Sequence, residues 1–439
     1  MTMSRRTFVT AITGAVAVPT SAVGFRPPPG QVQRPVPSAS QLLWQRDELA
    51  LFIHFGMNTF TDREWGDGAE DPSMFAPSAL DTRQWAQTAR AAGFRAMILT
   101  AKHHDGFCLW PTATTNHSVT ASRWRAGAGD LVREFTEACH AEGLRAGLYL
   151  SPWDRNAPSY GDSPRYNDFY CDQLTELLTR YGPIHEVWFD GANGEGPNGK
   201  RQEYDWPRYW GLVRRLQPEA VIFSDAGPDV RWIGNEIGVA GETNWSTVDP
   251  AVVPFPGATG EPVAAMLQHG DPLGTVWRPG ETDVSIRPGW FYHPAEDGAV
   301  KSVNELVDLY FTSVGRNSKL LLNVPPSRTG LIHATDRGRL LGMREHLDAR
   351  FARDRFPDVD AGREAAVSLV DLREDIARGQ SVGRYTLEGR VGSSWRVLSR
   401  GSTIGYRKLD VFEPTTISAV RLSIDEAVGA TQPISIALY

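Results

Sequence analysis

The chain has 439 residues, 45 Lys and Arg against 52 Asp and Glu, a formal charge of −7 and 41% apolar residues. That length can bury a large core and suits two domains, while the acidic balance and the lack of any basic run argue against a nucleic-acid surface. Only three cysteines occur, Cys108, Cys139 and Cys171, with no CxxC or Cys/His spacing, so neither a disulfide framework nor a cysteine zinc site is expected.

Ser4-Arg5-Arg6-Thr7-Phe8 precedes a modestly apolar stretch, Val9 to Val18, and small residues up to Ala22. Residues 1–22 therefore read as a twin-arginine-type export signal, implying a periplasmic or secreted product without stable membrane insertion after cleavage. The stretch is too short to span a membrane as an ordinary helix. A Pro-rich linker is expected over 23–40.

From there strand-like and helix-like segments alternate. Strands are predicted at Leu49 to Phe55, Arg95 to Thr100, Arg145 to Leu150, Glu186 to Asp190, Ala220 to Ser224, Arg231 to Glu236, Val284 to Pro288 and Lys319 to Val324. Helical spacing falls at Leu80 to Ala92, Asp130 to Glu142, Tyr166 to Tyr181, Tyr204 to Leu216, Ser302 to Val314 and Asp336 to Arg350. Gly93 and Gly143 act as stops. The Pro- and Gly-rich stretch from Gly241 to Glu281 reads as a long irregular loop. Eight such rounds over 41–355 predict a (β/α)8-like barrel in the α/β class. A doubly wound open sheet is the alternative, but no GxGxxG or Walker-type loop follows an early strand. Over 362–439 short β-branched runs (Ser381 to Leu387, Ser394 to Leu398, Val420 to Ile424, Ile434 to Tyr439) predict a C-terminal antiparallel β-sandwich.

Several of these strands end in residues able to do chemistry, as a barrel enzyme requires. Asp190 leaves the apolar run Val187-Trp188-Phe189 at a glycine turn, and Glu236 ends the sixth strand region, 46 positions later. Two carboxyl groups at one barrel mouth can split a glycosidic bond, one attacking the anomeric carbon and the other giving and taking a proton. Glu195, Asp225 and Glu242 compete for the second part. His54, His103 and His104 also sit at strand ends. Adjacent strand residues point to opposite faces, so His103 and His104 are a poor ligand pair for one ion, and donation to sugar hydroxyls is the preferred reading. Trp65, Trp153 and Trp290 offer faces for a sugar ring, or core packing.

His54-Phe55-Gly56, Glu64-Trp65, Lys102-His103-His104-Asp105-Gly106-Phe107, Leu148-Tyr149-Leu150-Ser151 and Trp188-Phe189-Asp190-Gly191 together resemble glycoside hydrolase family 29, the retaining α-L-fucosidases. The resemblance runs in order from about residue 40 to 340. It implies Asp190 as nucleophile and His54, Glu64, Trp65, His103, His104, Tyr149 and Trp290 around a fucose ring, with Trp153 or Tyr292 as substitutes for the last two. Arg231-Trp232-Ile233-Gly234-Asn235-Glu236 is similar to the acid/base segment of the branch preferring α-1,3 and α-1,4 linkages, which implies Glu236 as acid/base. The resemblance implies a fucosylated oligosaccharide or glycoconjugate as substrate and no metal or organic cofactor. It says nothing of the oligomeric state. A non-catalytic fucose-binding protein on the same scaffold is the rival reading.

Overall fold

Every position of the first strand, Leu49–Ile53, is buried, so both of its faces lie against protein, as in a parallel sheet covered on both sides. The structure is a computed structural model that describes residues 34–439. The expected export signal and most of the linker lie outside the described residues. Among the described residues no helix is long and apolar enough to cross a membrane.

The strands in chain order are β1 (Leu49–Ile53), β2 (Ala96–Lys102), β3 (Arg145–Leu150), β4 (Glu186–Trp188), β5 (Val221–Phe223) and β6 (Arg231–Trp232). A short ribbon, β7 (Thr247–Val248) and β8 (Val276–Trp277), precedes β9 (Gly280–Ser285) and β10 (Ser318–Asn323). Eight of them form one parallel sheet in the order β5-β4-β3-β2-β1-β10-β9-β6. A parallel bridge between Phe223 and Val230 joins its two ends. This is the (β/α)8-like barrel. Helices follow most strands, and their starts carry the expected caps: the Asp81, Asp130 and Asp205 carboxylates accept backbone N–H groups of Gln84, Arg133 and Arg208.

Alternation along the strands sorts two cores. Leu49, Leu51 and Ile53 pack outward under the helices. Ala50 and Phe52 pack inward with Trp44, Ile98, Tyr149, Trp188, Phe223 and Leu321, filling the barrel as closed barrels of this size are filled. Trp44 comes from a helix, Ala39–Asp47, that opens with a capping box between Ser38 and Gln41. The sequence pattern does not reveal this helix because it has no apolar stripe; its burial comes from plugging the barrel below.

Two further differences are informative. No helix separates β5 from β6, which is why the spacing there is short. The region expected to be one irregular loop, Gly241 to Glu281, holds the β7–β8 ribbon and a helix, Glu261–His269. Only that helix's Val263 and Leu267 are buried, so its periodic signal is weak.

The C-terminal region has six strands: β11 (Ala365–Glu374), β12 (Val382–Val391), β13 (Ser394–Ser402), β14 (Lys408–Ile417), β15 (Val420–Ala427) and β16 (Ile434–Leu438). They form two antiparallel sheets, β14-β11-β16 and β13-β12-β15, around Val367, Leu372, Tyr385, Leu387 and Ile417. β11 and β14 are absent from the sequence expectation because each carries charge in its centre. Asp371 on β11 is buried against Arg407, 2.9 Å away. Arg407 and Arg373 also reach Glu48, just ahead of β1, at 2.8 and 3.1 Å. The sandwich thus docks at the N-terminal ends of the barrel strands. Their C-terminal ends remain open.

Candidate active site

At that open end one pocket of about 200 Å³ is lined by Phe52, His54, Glu64, Trp65, His103, His104, Tyr149, Trp188, Asp190, Ala192, Glu236, Asp283 and Trp290. Every site residue named from the sequence is there. Trp153 and Tyr292, the possible substitutes, are not. The Trp153 indole donates to the Glu195 carbonyl at 3.0 Å and the Tyr292 hydroxyl to Asp297 at 3.2 Å.

Each strand end delivers a side chain already oriented by a neighbour. Asp190 lies two residues past β4. Its Oδ1 accepts the Ala192 N–H at 2.7 Å and its Oδ2 accepts the Tyr149 hydroxyl, from β3, at 3.0 Å. Burial and the Asp190 charge push the Tyr149 phenol well above its ordinary range, so it stays a donor. Gly191 is required: a Cβ there would come within 2.6 Å of Asp225 and 2.8 Å of the Gly257 nitrogen.

The three histidines are buried and held neutral. Burial takes His54 down to about 3 against the support of Asn323, and burial with the neighbouring histidines depresses His103. His104 is lowered by burial despite the Asp190 charge. Asn323 Oδ1 accepts His54 Nδ1–H at 2.9 Å. The Asn58 amide lies 3.4 Å from His103 Nδ1. Ser151 accepts from His104 Nδ1 at 2.7 Å while donating its own proton to the Trp153 carbonyl at 2.6 Å. In each ring Nδ1 is engaged by protein, which fixes the ring's orientation. His104 Nε2 faces Asp190 Oδ2 at 3.8 Å, beyond hydrogen-bond reach. Among the described residues no three His, Cys, Asp or Glu side chains converge as a metal-ligand set. In the motif that carries His103 and His104, Lys102 is structural: it is fully buried and bonded to Asp154 and Gln173 at 2.8 and 2.9 Å. Gly106 there has φ +78°, and a Cβ would meet Asp154 at 2.5 Å.

Glu236 stands four residues past β6. Burial raises its proton affinity, Trp290 hydrogen bonding partly offsets this, and the charges of Asp190 and Glu64 raise it again. The two carboxyls therefore feel one another across the pocket. The competing acids lie elsewhere. Asp225 accepts the Gly257 N–H at 2.8 Å and is pushed up to about 6, by burial first and then the Asp190 charge. Glu242 is exposed beside Arg316, 3.6 Å away, and Glu195 is also exposed.

Aromatic faces complete the walls. Trp188 stacks on Phe223 with centroids 4.1 Å apart and leans on Phe52 and Tyr149 at 5.3 and 5.4 Å. Trp290 lies 5.1 Å from His54, and Trp65 stands 61% exposed at the rim. Asp283 was not anticipated. It lies on β9 inside a run, Glu281-Thr282-Asp283, too polar to read as a strand. Its Oδ1 accepts the Trp232 indole N–H at 2.7 Å, and burial followed by the Glu236 charge lifts it well above the usual carboxyl range. Strand alternation, which puts Glu281 and Asp283 on the inner face, is the one signal that could have found it.

The sequence model of the α-L-fucosidase family matches residues 54–350, which hold every pocket residue except Phe52. The chain belongs to the α-L-fucosidases of glycoside hydrolase family 29. It is similar to α-L-fucosidase 1 of Arabidopsis thaliana, 42% identical over 438 residues that cover 90% of this chain and 85% of the relative. Among solved structures, a family 29 glycoside hydrolase from an unknown rumen bacterium superposes with a TM-score of 0.85 at 40% identity, covering 92% of this chain and 77% of that one. A family 29 fucosidase of Ruminococcus gnavus, solved in complex with fucose, gives 0.82 at 30% identity, covering 92% and 95%. The chain is a glycoside hydrolase of the α-L-fucosidase type, acting on fucosylated substrates.

Proposed function

We propose that this fucosidase works with retention of configuration on α-1,3- and α-1,4-linked fucose, with Asp190 as nucleophile and Glu236 as acid/base. The observation that carries this reading is the pairing itself. Two carboxyl groups from separate strand ends line one small pocket, one fixed by two hydrogen bonds and the other raised in proton affinity partly by the first.

In the first step an Asp190 oxygen attacks the anomeric carbon while the protonated Glu236 gives its proton to the departing oxygen, leaving a fucosyl ester. Esterification removes the Asp190 charge, which lowers the proton affinity of Glu236, and the resulting carboxylate draws a proton from water for the second step. His54, His103 and His104, neutral and held through Nδ1, present Nε2 to sugar hydroxyls. The hydroxyls also reach Tyr149 and Glu64, while Trp65 and Trp290 cover the apolar face of the ring. The linkage preference rests on the likeness of the Arg231–Glu236 segment to the branched-glycan group. Beside it Ile237, 67% exposed, offers an apolar surface to the sugar beyond the scissile bond. The signal-like residues 1–22 support export to the periplasm or medium.

The test is a panel of 2-, 3- and 4-linked fucosides, with and without a branching galactose, assayed for fucose release. Preferential release from the 3- and 4-linked members is expected. Equal or better turnover of the 2-linked fucoside overturns the linkage reading, and binding without release favours a fucose-binding protein.

A further inference from the structure

Glu64 lines the pocket, yet both of its oxygens are engaged by a different loop. Oε2 accepts the Trp290 N–H at 2.8 Å and Oε1 the Phe291 N–H at 3.0 Å. His293 Nε2 adds a third contact to Oε1 at 2.7 Å, while its Nδ1 sits 2.8 Å from Asp62 Oδ1. Asp62 ends the short helix Met57–Thr61 in the left-handed region, at φ 59°, a conformation few non-glycine residues adopt. Arg328, from the loop after β10, approaches the same Asp62 oxygen at 3.5 Å and donates to the Thr59 carbonyl at 3.0 Å. Loops after β1, β9 and β10 are thereby tied at one point. The approach is close: a Cβ on Gly289 would stand 2.6 Å from Glu64 Oε1 and 3.0 Å from the His293 ring.

We propose that His293 is a positioning residue that bridges Asp62 and Glu64, locks the Trp290 turn onto the Glu64–Trp65 loop, and so fixes one wall of the pocket. A neutral imidazole has one N–H, which leaves a lone pair facing a carboxylate oxygen; bonding to both acids requires the imidazolium. The charged groups around the ring agree with that form. Burial alone lowers its proton affinity, but hydrogen bonds to Asp62 and Glu64, the Glu64 charge and Glu296 on the same loop outweigh it, so His293 lies above the ordinary histidine value. Arg328, a cation at the same Asp62 oxygen, is paired with that carboxylate. The sign follows: with the folded value raised, the lock is complete below about 6.5 and is lost as pH climbs through the raised value.

The kinetic arm of the test rests on the fucosidase reading, so an NMR arm stands beside it. In 13C-histidine-labelled protein, with the His293 signal assigned by its loss in His293→Ala, the ring should titrate above 6.5, and Asp62→Asn should lower its midpoint by about 1. With wild-type turnover of an aryl α-L-fucoside established first, His293→Ala should raise KM about tenfold with little change in kcat, and Asp62→Asn should move KM the same way. The wild-type KM should rise at alkaline pH, and that rise should vanish in His293→Ala. A His293 midpoint at or below 6.5, an unchanged KM in both variants, or an alkaline KM rise that persists without His293 each overturns the proposal.

Discussion

Glu186 and Asp190 lie four residues apart on one strand run, and the barrel treats them as opposites. Glu186, at the inner end, is fully buried, accepts the Trp44 indole N–H at 2.9 Å and pairs with Lys319 at 3.0 Å. Lys319 also lies 3.6 Å from Glu281, whose carboxyl burial and then the Glu186 charge push well above its ordinary range. Asp190, at the outer end, has no Lys or Arg paired with it among the described residues. Its side chain is 27% exposed, and its neighbours are a tyrosine, a backbone N–H and a histidine held neutral. Depth along the strand, and not residue type, separates a structural acid from one open to substrate. A buried charge must be matched where it lies, whereas an acid at the mouth meets water or ligand.

The sharpest way to break this comparison is at Asp190. Asp190→Asn should lower kcat/KM at least ~10³-fold with the thermal transition unchanged; a variant near wild-type rates removes Asp190 from the nucleophile role. Glu236→Ala should cost about 10²- to 10⁴-fold on substrates with poor leaving groups, and azide should restore part of the turnover of an activated fucoside. Because Glu236 must carry a proton in the first step and its affinity is raised, wild-type kcat/KM should hold above the ordinary glutamate range and fall as pH passes the raised value. Read in His293→Ala, where KM adds no alkaline limb of its own, that fall should still be present, and it should be missing once Glu236→Ala is added and azide is supplied.

At the inner end the readout is stability. Lys319→Met leaves two buried acids without their cation and should destabilise the fold by about 3–5 kcal/mol, measured by urea unfolding. The loss should shrink as pH falls, because a buried carboxyl with raised proton affinity is least costly when protonated. A loss that stays constant with pH refutes the account of that cluster. The smallest effect belongs to the exposed competitor: Glu242→Gln should change stability by no more than about 0.5 kcal/mol and leave kcat/KM as it is.

Barrel and sandwich differ in how openly the chain announces them. Most barrel strands are buried on both faces and largely apolar, so Leu49–Ile53 and Ala96–Lys102 stand out as runs. Their ends carry His54, His103 and Asp190 at turns, which made the pocket residues legible before any geometry. β11 hides because Asp371 is buried against Arg407, far along the chain, and β14 because Lys408 opens it, buried against the Glu242 carbonyl, and Asp410 and Glu413 interrupt its apolar run. A window of sequence cannot see those partners.

The linear chain determined the alternation of strands and helices, the glycines at 93, 106 and 191, and the set of acids, histidines and tryptophans placed at strand ends. Those depend on local periodicity and on which residues tolerate a turn. Folding alone decided that Asp283 joins the pocket, that Asp225 accepts the Gly257 N–H and stays out of the pocket lining, and that Glu64 and His293 tie neighbouring loops together. Each of these depends on which distant groups share a few ångströms of low-dielectric space, and closure of the barrel sets that proximity.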